Sequence, residues 1–355
     1  MMNFRGKTEK PEPSIEPDDK PKPKTIKPTY NWKLISLIFI SWIALFHLFE
    51  RTIPYHVISK CSWGDWEPWT SGSSERIVMI ADPQIVDDYS YPKQYKVLNF
   101  FIKKIADNYL HRNYEMIHSA LNPNTTIFLG DLFDGGRYWD DDQWMEEYYR
   151  FEKVFPKKSG KLDIRSIPGN HDIGFQTIHE HVLNRFVRHY GKANEVMELG
   201  NHTFVLLDAI SLSHPNETIH KEADAFLTNL TFENDNPRIL LIHVPLFRFP
   251  DKQLCGPHRE KKDRLFPLQR GDQYQTVIEY EITKRILNTV QPALIFAGDD
   301  HDYCDIQQEY EGGKGVAREI TVKSAAMTGG IKYPAVQLLS LNTNNNNKPD
   351  RNLFC

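Results

Sequence analysis

The 355 residues hold enough chain for one large domain or two ordinary ones, and a hydrophobic content of 40% with 25% charged residues is ordinary for a globular protein. A formal net charge of -4 and a pI near 6.4 leave no basic footprint for nucleic acid. Cys61, Cys255, Cys304 and Cys355 form no C-x-x-C pattern of the zinc-binding kind.

Residues 1–29 are rich in Pro, Lys and acid and read as a disordered tail. "LISLIFISWIALFHLF", Leu34 to Phe49, then carries no formal charge. With aromatic and apolar neighbours at its ends it predicts a transmembrane helix over 30–53, against the alternatives of a cleaved signal peptide or a buried helix. Lys7, Lys10, Lys20, Lys22, Lys24, Lys27 and Lys33 precede this span, whereas only Arg51 and Lys60 follow closely. That asymmetry keeps the N-terminus cytosolic and exports the rest. Glycosylation sequons at Asn124, Asn201, Asn216 and Asn229 and all four cysteines fall on the exported side. A single-pass protein of the endoplasmic reticulum or Golgi with a lumenal main domain is expected.

Residues 54–74 form a juxtamembrane segment whose "CSWGDWEPW" reads as an interfacial aromatic belt. Between 75 and 341, apolar runs ending in Gly and polar residues alternate with helical patterns. The runs are "RIVMIAD", "TIFLGD", "DIRSIPGNHD", "TFVLLDAI", "ILLIHVP", "ALIFAGDDHD", "EITVKSAAM" and "AVQLLSL". Helices are expected over 94–121, 141–155, 180–190, 221–230 and 275–290; in the first, Leu98, Phe101, Ile102, Ile105 and Tyr109 recur at a helical period. Runs apolar on both faces suit strands beneath helices, so the fold class is α/β with two packed mixed sheets. Residues 342–355 read as a linker-like tail.

Asp82, Asp131, Asn170, His171, His243, Asp299 and His301 each stand where an apolar run ends. Strand carboxyl ends are where open α/β sheets build sites. Asp, Asn and His are ligands for divalent cations, and seven of them suggest two metals sharing a carboxylate.

Asp82-Pro83-Gln84, G-D-x-x-D from Gly130 to Asp134, G-N-H-D from Gly169 to Asp172, Ile242-His243, and G-x-x-H from Gly298 to His301 resemble, in order, the calcineurin-like metallophosphoesterase pattern. "ADPQIVDD", "GDLFDGGR", "GNHDIGF" and "GDDHDYC" look like its membrane-anchored lumenal branch, the fungal cell-division-cycle type, which removes ethanolamine phosphate from GPI-anchor mannoses. The resemblance implies a phosphodiesterase acting on a GPI-anchored protein or GPI lipid glycan. Asp82 and His301 would hold one metal, with Gln84 near it, and Asp131 would bridge. Asn170, His243 and Asp299 would hold the second, and His171 would stand by the leaving group, oriented by Asp134 or Asp172. Gln84 and Asp299 occupy positions where the wider family commonly has His. Oxygen in place of nitrogen shifts preference toward Mn²⁺ or Mg²⁺, with two Mn²⁺ expected.

Other readings stay open. Gln84 and Asp299 are equally the marks expected of a degenerate binding or trafficking protein on the same fold, and a lumenal phosphatase of other range is a third possibility. Asp134 and Asp172 also suit turn or cap roles. Asp87, Asp88, Asp300 and Asp302 read as loop acids, and Arg259 as half of a surface ion pair. Cys255–Cys304 is the favoured of three disulfide connectivities, against free thiols.

Overall fold

The computed structural model describes residues 30–67, 73–313, 315–343 and 351–354. The tail expected over 1–29 lies outside them. Two units separate at Thr52. The first contains α1 (Trp32–His47), whose first turn is closed by Asn31 accepting from the Leu34 N–H at 3.2 Å. A π turn, Leu48–Thr52, continues it. No residue of α1 is buried, and the helical stretch Trp32–Asp65 that it opens is long and apolar enough to cross a membrane.

The second unit begins with α2 (Ile53–Ser59). It continues through β1 (Ser74–Ile80), α3 (Lys96–Leu121), β2 (Thr125–Phe128), α4 (Asp141–Val154), β3 (Leu162–Ile164), α5 (Asn170–Ile173) and α6 (Glu180–Tyr190). Next come β4 (Glu195–Leu199), β5 (His202–Leu206), α7 (Ala209–Leu212), α8 (Glu217–Thr228) and β6 (Arg238–Leu241). The chain ends with β7 (Arg270–Gly271), β8 (Tyr274–Gln275), α9 (Tyr280–Val290), β9 (Leu294–Ala297), β10 (Cys304–Glu309), β11 (Val316–Thr321), β12 (Gln337–Asn342) and β13 (Arg351–Phe354).

Two mixed sheets result, ordered β13-β12-β1-β2-β3 and β10-β11-β9-β6-β5-β4. Strand alternation explains their packing. Ile77 and Met79 of β1 belong to the core between the sheets with Phe204, Leu241 and Phe296, while Val78 and Ile80 belong with Leu110 and Phe151 to the core beneath the helices. All eight expected strands form. The sequence reading missed β4 and β10, whose alternating exposed polar residues belong to sheet edges. It also missed β13, which pairs with β12 inside the stretch read as linker.

One further expectation needs correction. Trp63 is no interfacial residue: it is buried, and its indole N–H donates to the Leu121 carbonyl at 2.7 Å. In α3 the buried face is Asn99, Ala106, Leu110, Tyr114, Ile117 and Leu121. The apolar series starting Leu98, Phe101 and Ile105 points outward.

On α3, His118 packs its ring 4.3 Å from Tyr114, with Nε2 3.2 Å from the Thr126 hydroxyl. Burial, helped by Lys158, pushes its pKa down to about 4. A depressed folded value means that stability is complete above the unfolded pKa of about 6.5 and is lost as pH falls toward the folded value. Calorimetry of the wild type against His118→Gln should show a wild-type excess loss of roughly 1 kcal/mol from about pH 7 to about pH 5, discounted for partial exposure. Parallel curves would remove His118 as an acid-sensitive element.

Candidate metal centre

The carboxyl ends of β1 and β2 in one sheet, and of β6 and β9 in the other, deliver Asp82, Asp131, His243 and Asp299 to one place. One ligand atom from each of Asp82, Asp131 and His243 lies within 4.8 Å of the others. His243 Nε2 is 3.3 Å from Asp131 Oδ1 and 3.7 Å from Asp299 Oδ1. The Asp299 N–H donates to Asp82 Oδ1 at 3.0 Å. His243 Nδ1 faces the Leu129 carbonyl at 2.6 Å, and His301 Nδ1 faces that of Gly329 at 2.9 Å. Such backbone partners hold an imidazole in place and leave Nε2 for a ligand.

The backbone is bent to present these groups. Asp82, Gln84, Asp131, Asp299 and His301 all have positive φ, between 29° and 67°. Non-glycine residues hold that region at about 1–3 kcal/mol each and cluster where function requires it. Gly130 and Gly169 make the approach possible: a Cβ on Gly130 would sit 2.5 Å from His243 Nδ1, and one on Gly169 2.0 Å from Asp131 Oδ1.

Fit to a cation can be judged from hydrogen bonding. Asp82 Oδ2, Asn170 Oδ1, His243 Nε2 and Asp299 Oδ2 are all buried and without a hydrogen-bond partner. Buried polar atoms are nearly always satisfied, so four orphans on four converging ligand-type side chains mark a site for a cation. The electrostatics agree. Burial pushes Asp299 well above the usual carboxylate range and raises Asp82. Burial disfavours charge on His243, yet Asp131, Asp82 and Asp299 hold its pKa well above the ordinary imidazole value.

Gln84 does not present its oxygen here; its Nε2 donates to Asp131 Oδ2 at 2.8 Å. Asn170 is fixed by donation from Nδ2 to the Gln273 carbonyl at 3.0 Å. His171 lies beside the cluster, with its N–H donating to Asp131 Oδ1 at 2.9 Å and Nδ1 2.7 Å from the Asp134 carbonyl and 3.0 Å from Asp134 Oδ1. Of the two expected orienting acids, Asp134 therefore reaches His171. Asp172 does not: its oxygens accept from the N–H groups of Leu132, Phe133 and Gly169, pinning two loops together.

Three acids and an arginine read as surface groups are internal. Asp87 accepts from the Gly135 N–H and the Trp139 indole. Asp300 and Asp302 face Arg259, whose side chain is fully buried. Asp88 behaves as expected, exposed and 3.4 Å from Lys103. The segment bearing Arg259 is tied to β10 by the expected Cys255–Cys304 disulfide. Sequence reasoning missed Arg137. Its Nη1 donates to the Asn170 carbonyl at 3.1 Å while its guanidinium lies 4.6 Å from the Tyr138 ring centre. Its only signal was its place at the end of "GDLFDGGR".

A two-sheet sandwich with an Asp/Asn/His cluster at the strand ends defines a metallophosphoesterase fold, and the model of the calcineurin-like phosphoesterase family matches residues 75–303. The chain belongs to that family. Cell division control protein 1 of Saccharomyces cerevisiae is 48% identical over 316 residues, covering 87% of this chain. The chain spans 64% of that protein's length. Metallophosphoesterase 1 of Rattus norvegicus is 24% identical over 304 residues, covering 78% of this chain and 72% of its own. Its Xenopus laevis counterpart is 26% identical over 329 residues, covering 82% and 76%. Among solved structures, a purple acid phosphatase from yellow lupin seeds aligns at 12% identity with a TM-score of 0.42, covering 80% of this chain and 54% of that one.

Proposed function

We propose that this chain is a two-metal phosphodiesterase that removes ethanolamine phosphate from a mannose of the GPI-anchor glycan in the endoplasmic reticulum or Golgi. The observation that carries the chemistry is the set of four buried, unpartnered ligand atoms on Asp82, Asn170, His243 and Asp299. The same set weighs against a decayed binding protein, which has no need to keep such atoms unsatisfied. Asp82, His301 and, through hydrogen bonding, Gln84 would serve one metal; Asn170, His243 and Asp299 the other; Asp131 both. Their oxygen-rich donor set suits Mn²⁺. When bound, the metals supply an activated water and neutralise phosphoryl charge.

The chain's own residues do the rest. Asp134 holds His171 at Nδ1, which leaves Nε2 as the proton donor to the departing sugar oxygen. The apolar helix and the lysines before it support membrane anchorage with the domain in the lumen. Asn124, Asn201, Asn216 and Asn229 are all exposed, as glycosylation requires.

Mass spectrometry of GPI glycans from cells lacking the protein should show ethanolamine phosphate accumulating on one mannose. The purified full chain should hydrolyse an aryl phosphodiester with Mn²⁺ and stop with chelator. An unchanged glycan pattern defeats the substrate assignment; absence of turnover and of bound metal defeats the enzyme.

A further inference from the structure

We propose that the outward face at the start of α3 is a membrane-contact surface, seating the domain on the lipid headgroup and upper acyl region of the bilayer that anchors the chain. This rests on the membrane reading above and extends it to a particular face.

The face is Tyr95, Val97, Leu98, Phe100, Phe101 and Ile105, which are 85%, 71%, 44%, 54%, 56% and 59% exposed. It lies opposite the side that α3 buries, where the first half of the helix offers only Asn99 and Ala106, so the large apolar residues of that half face outward. A helix of that kind needs a second apolar environment.

Charge and composition identify that environment. From residue 89 to residue 106 the sequence "YSYPKQYKVLNFFIKKIA" contains four lysines, five aromatic residues and no acid. Lys103 is paired with Asp88, while Lys93, Lys96 and Lys104 border the apolar face, Lys104 standing 5.9 Å from the Phe100 ring centre. Aromatic and aliphatic residues flanked by an excess of lysine over the neighbouring Asp88 and Asp107 match a bilayer surface, where tyrosine sits at headgroup level and lysine meets phosphate.

Chain continuity points the same way. α2 follows within six residues of the end of α1 and packs beside α3. Ile53, Pro54, Val57 and Ile58 line an apolar cavity with Tyr109 and Leu110 of α3. That cavity continues along α3 to Leu121, and its near end at Tyr109 is about 12 Å along the helix axis from Phe101, so the stretch of chain that follows the span is attached to the same helix that carries this face. The loop leading into α3 is also the one that carries Asp82, Gln84 and Asp87. Seating α3 on lipid would therefore hold one wall of the metal centre close to the headgroups, where a lipid-linked glycan presents its phosphodiester.

The test uses the full chain in vesicles of phosphatidylcholine and phosphatidylserine. A polarity-sensitive fluorophore is placed on Phe101→Cys or, as a control, on exposed Glu146→Cys of α4. Vesicle flotation reports the anchor. Lipids carrying a nitroxide near the headgroup should quench the label at 101 severalfold more than at 146, with a blue-shifted emission. Adding Val97→Glu and Leu98→Glu should bring quenching at 101 down to the control level, with hydrolysis of a soluble aryl phosphodiester unchanged. A chain that floats with equal quenching at both positions overturns the inference and leaves the phosphodiesterase untouched. So does quenching at 101 that survives the glutamates, or that comes from a nitroxide on a second copy in detergent. Loss of all turnover with strong quenching at 101 does the reverse.

Discussion

Asp131→Asn is expected to lower phosphodiester hydrolysis by a factor on the order of 10³ or more while the protein stays folded. The loss is that of a charge set to stabilise a transition state, compounded by loss of bound metal. Asp131 is the hub of the centre. One oxygen accepts the His171 N–H and stands 3.3 Å from His243 Nε2; the other accepts from Gln84. Burial opposes its charge, but His243 and His171 together carry its pKa well below the usual carboxylate range. Asparagine keeps the shape and one acceptor, which still serves the His171 N–H. It removes the carboxylate charge that His243, the His171 N–H and Gln84 all meet. The check has three readings on one preparation: turnover of an aryl phosphodiester, metal content by mass spectrometry, and the thermal midpoint. Low turnover with reduced metal and a midpoint shifted by only a few degrees is the expected pattern. Normal turnover would remove Asp131 as the bridge.

The second large effect is on stability. Arg248 is fully buried, with Nη2 2.6 Å from Glu319 Oε1 and its guanidinium 4.1 Å from the Phe266 ring centre. Glu319 also accepts from the Leu246 N–H at 2.9 Å and the Gln308 amide at 2.5 Å. Arg248→Ala leaves Glu319 as an uncompensated buried charge beside a cavity and should cost about 3–5 kcal/mol. Arg248→Met with Glu319→Gln removes both charges and should recover most of that loss, because pairs of this kind are often replaceable together. Urea unfolding of Arg248→Met, Glu319→Gln, the double variant and the wild type closes the cycle. A loss below about 1 kcal/mol in Arg248→Ala would show that water reaches Glu319 and that the pair is not a strut.

Much of the centre was legible because strand order and strand termini leave a mark in sequence. An apolar run followed by Gly-Asp or Gly-Asn-His reads as a strand handing a polar group to a turn, as at Asp131, Asn170 and Asp299, while Asp82 and His243 end their apolar runs directly. The roles of neighbouring acids were not legible. Asp172 sits one residue from His171, yet its oxygens point back at the β2 turn, a direction set by the α5 turn rather than by composition. Asp300, Asp302 and Arg259 looked like surface groups because nothing periodic announces that residues 247–279 fold over β10. The helix α3 shows the same limit differently. Its period revealed an apolar stripe, but Asn99 and Ala106 carry no signal of burial, so which side met the core depended on tertiary packing.

Half of the metal centre comes from each sheet: Asp82 and Asp131 from one, His243 and Asp299 from the other. A cation held by both halves would act as a rivet through the sandwich, and its binding energy would add to the energy of keeping the layers in register. Scarcity of metal should then shorten the lifetime of the protein as well as slow its chemistry. No fragment ending before Asp299 contains the complete set, so a nascent chain acquires the rivet only once strands of both layers, β1 and β2 of one and β6 and β9 of the other, have been made.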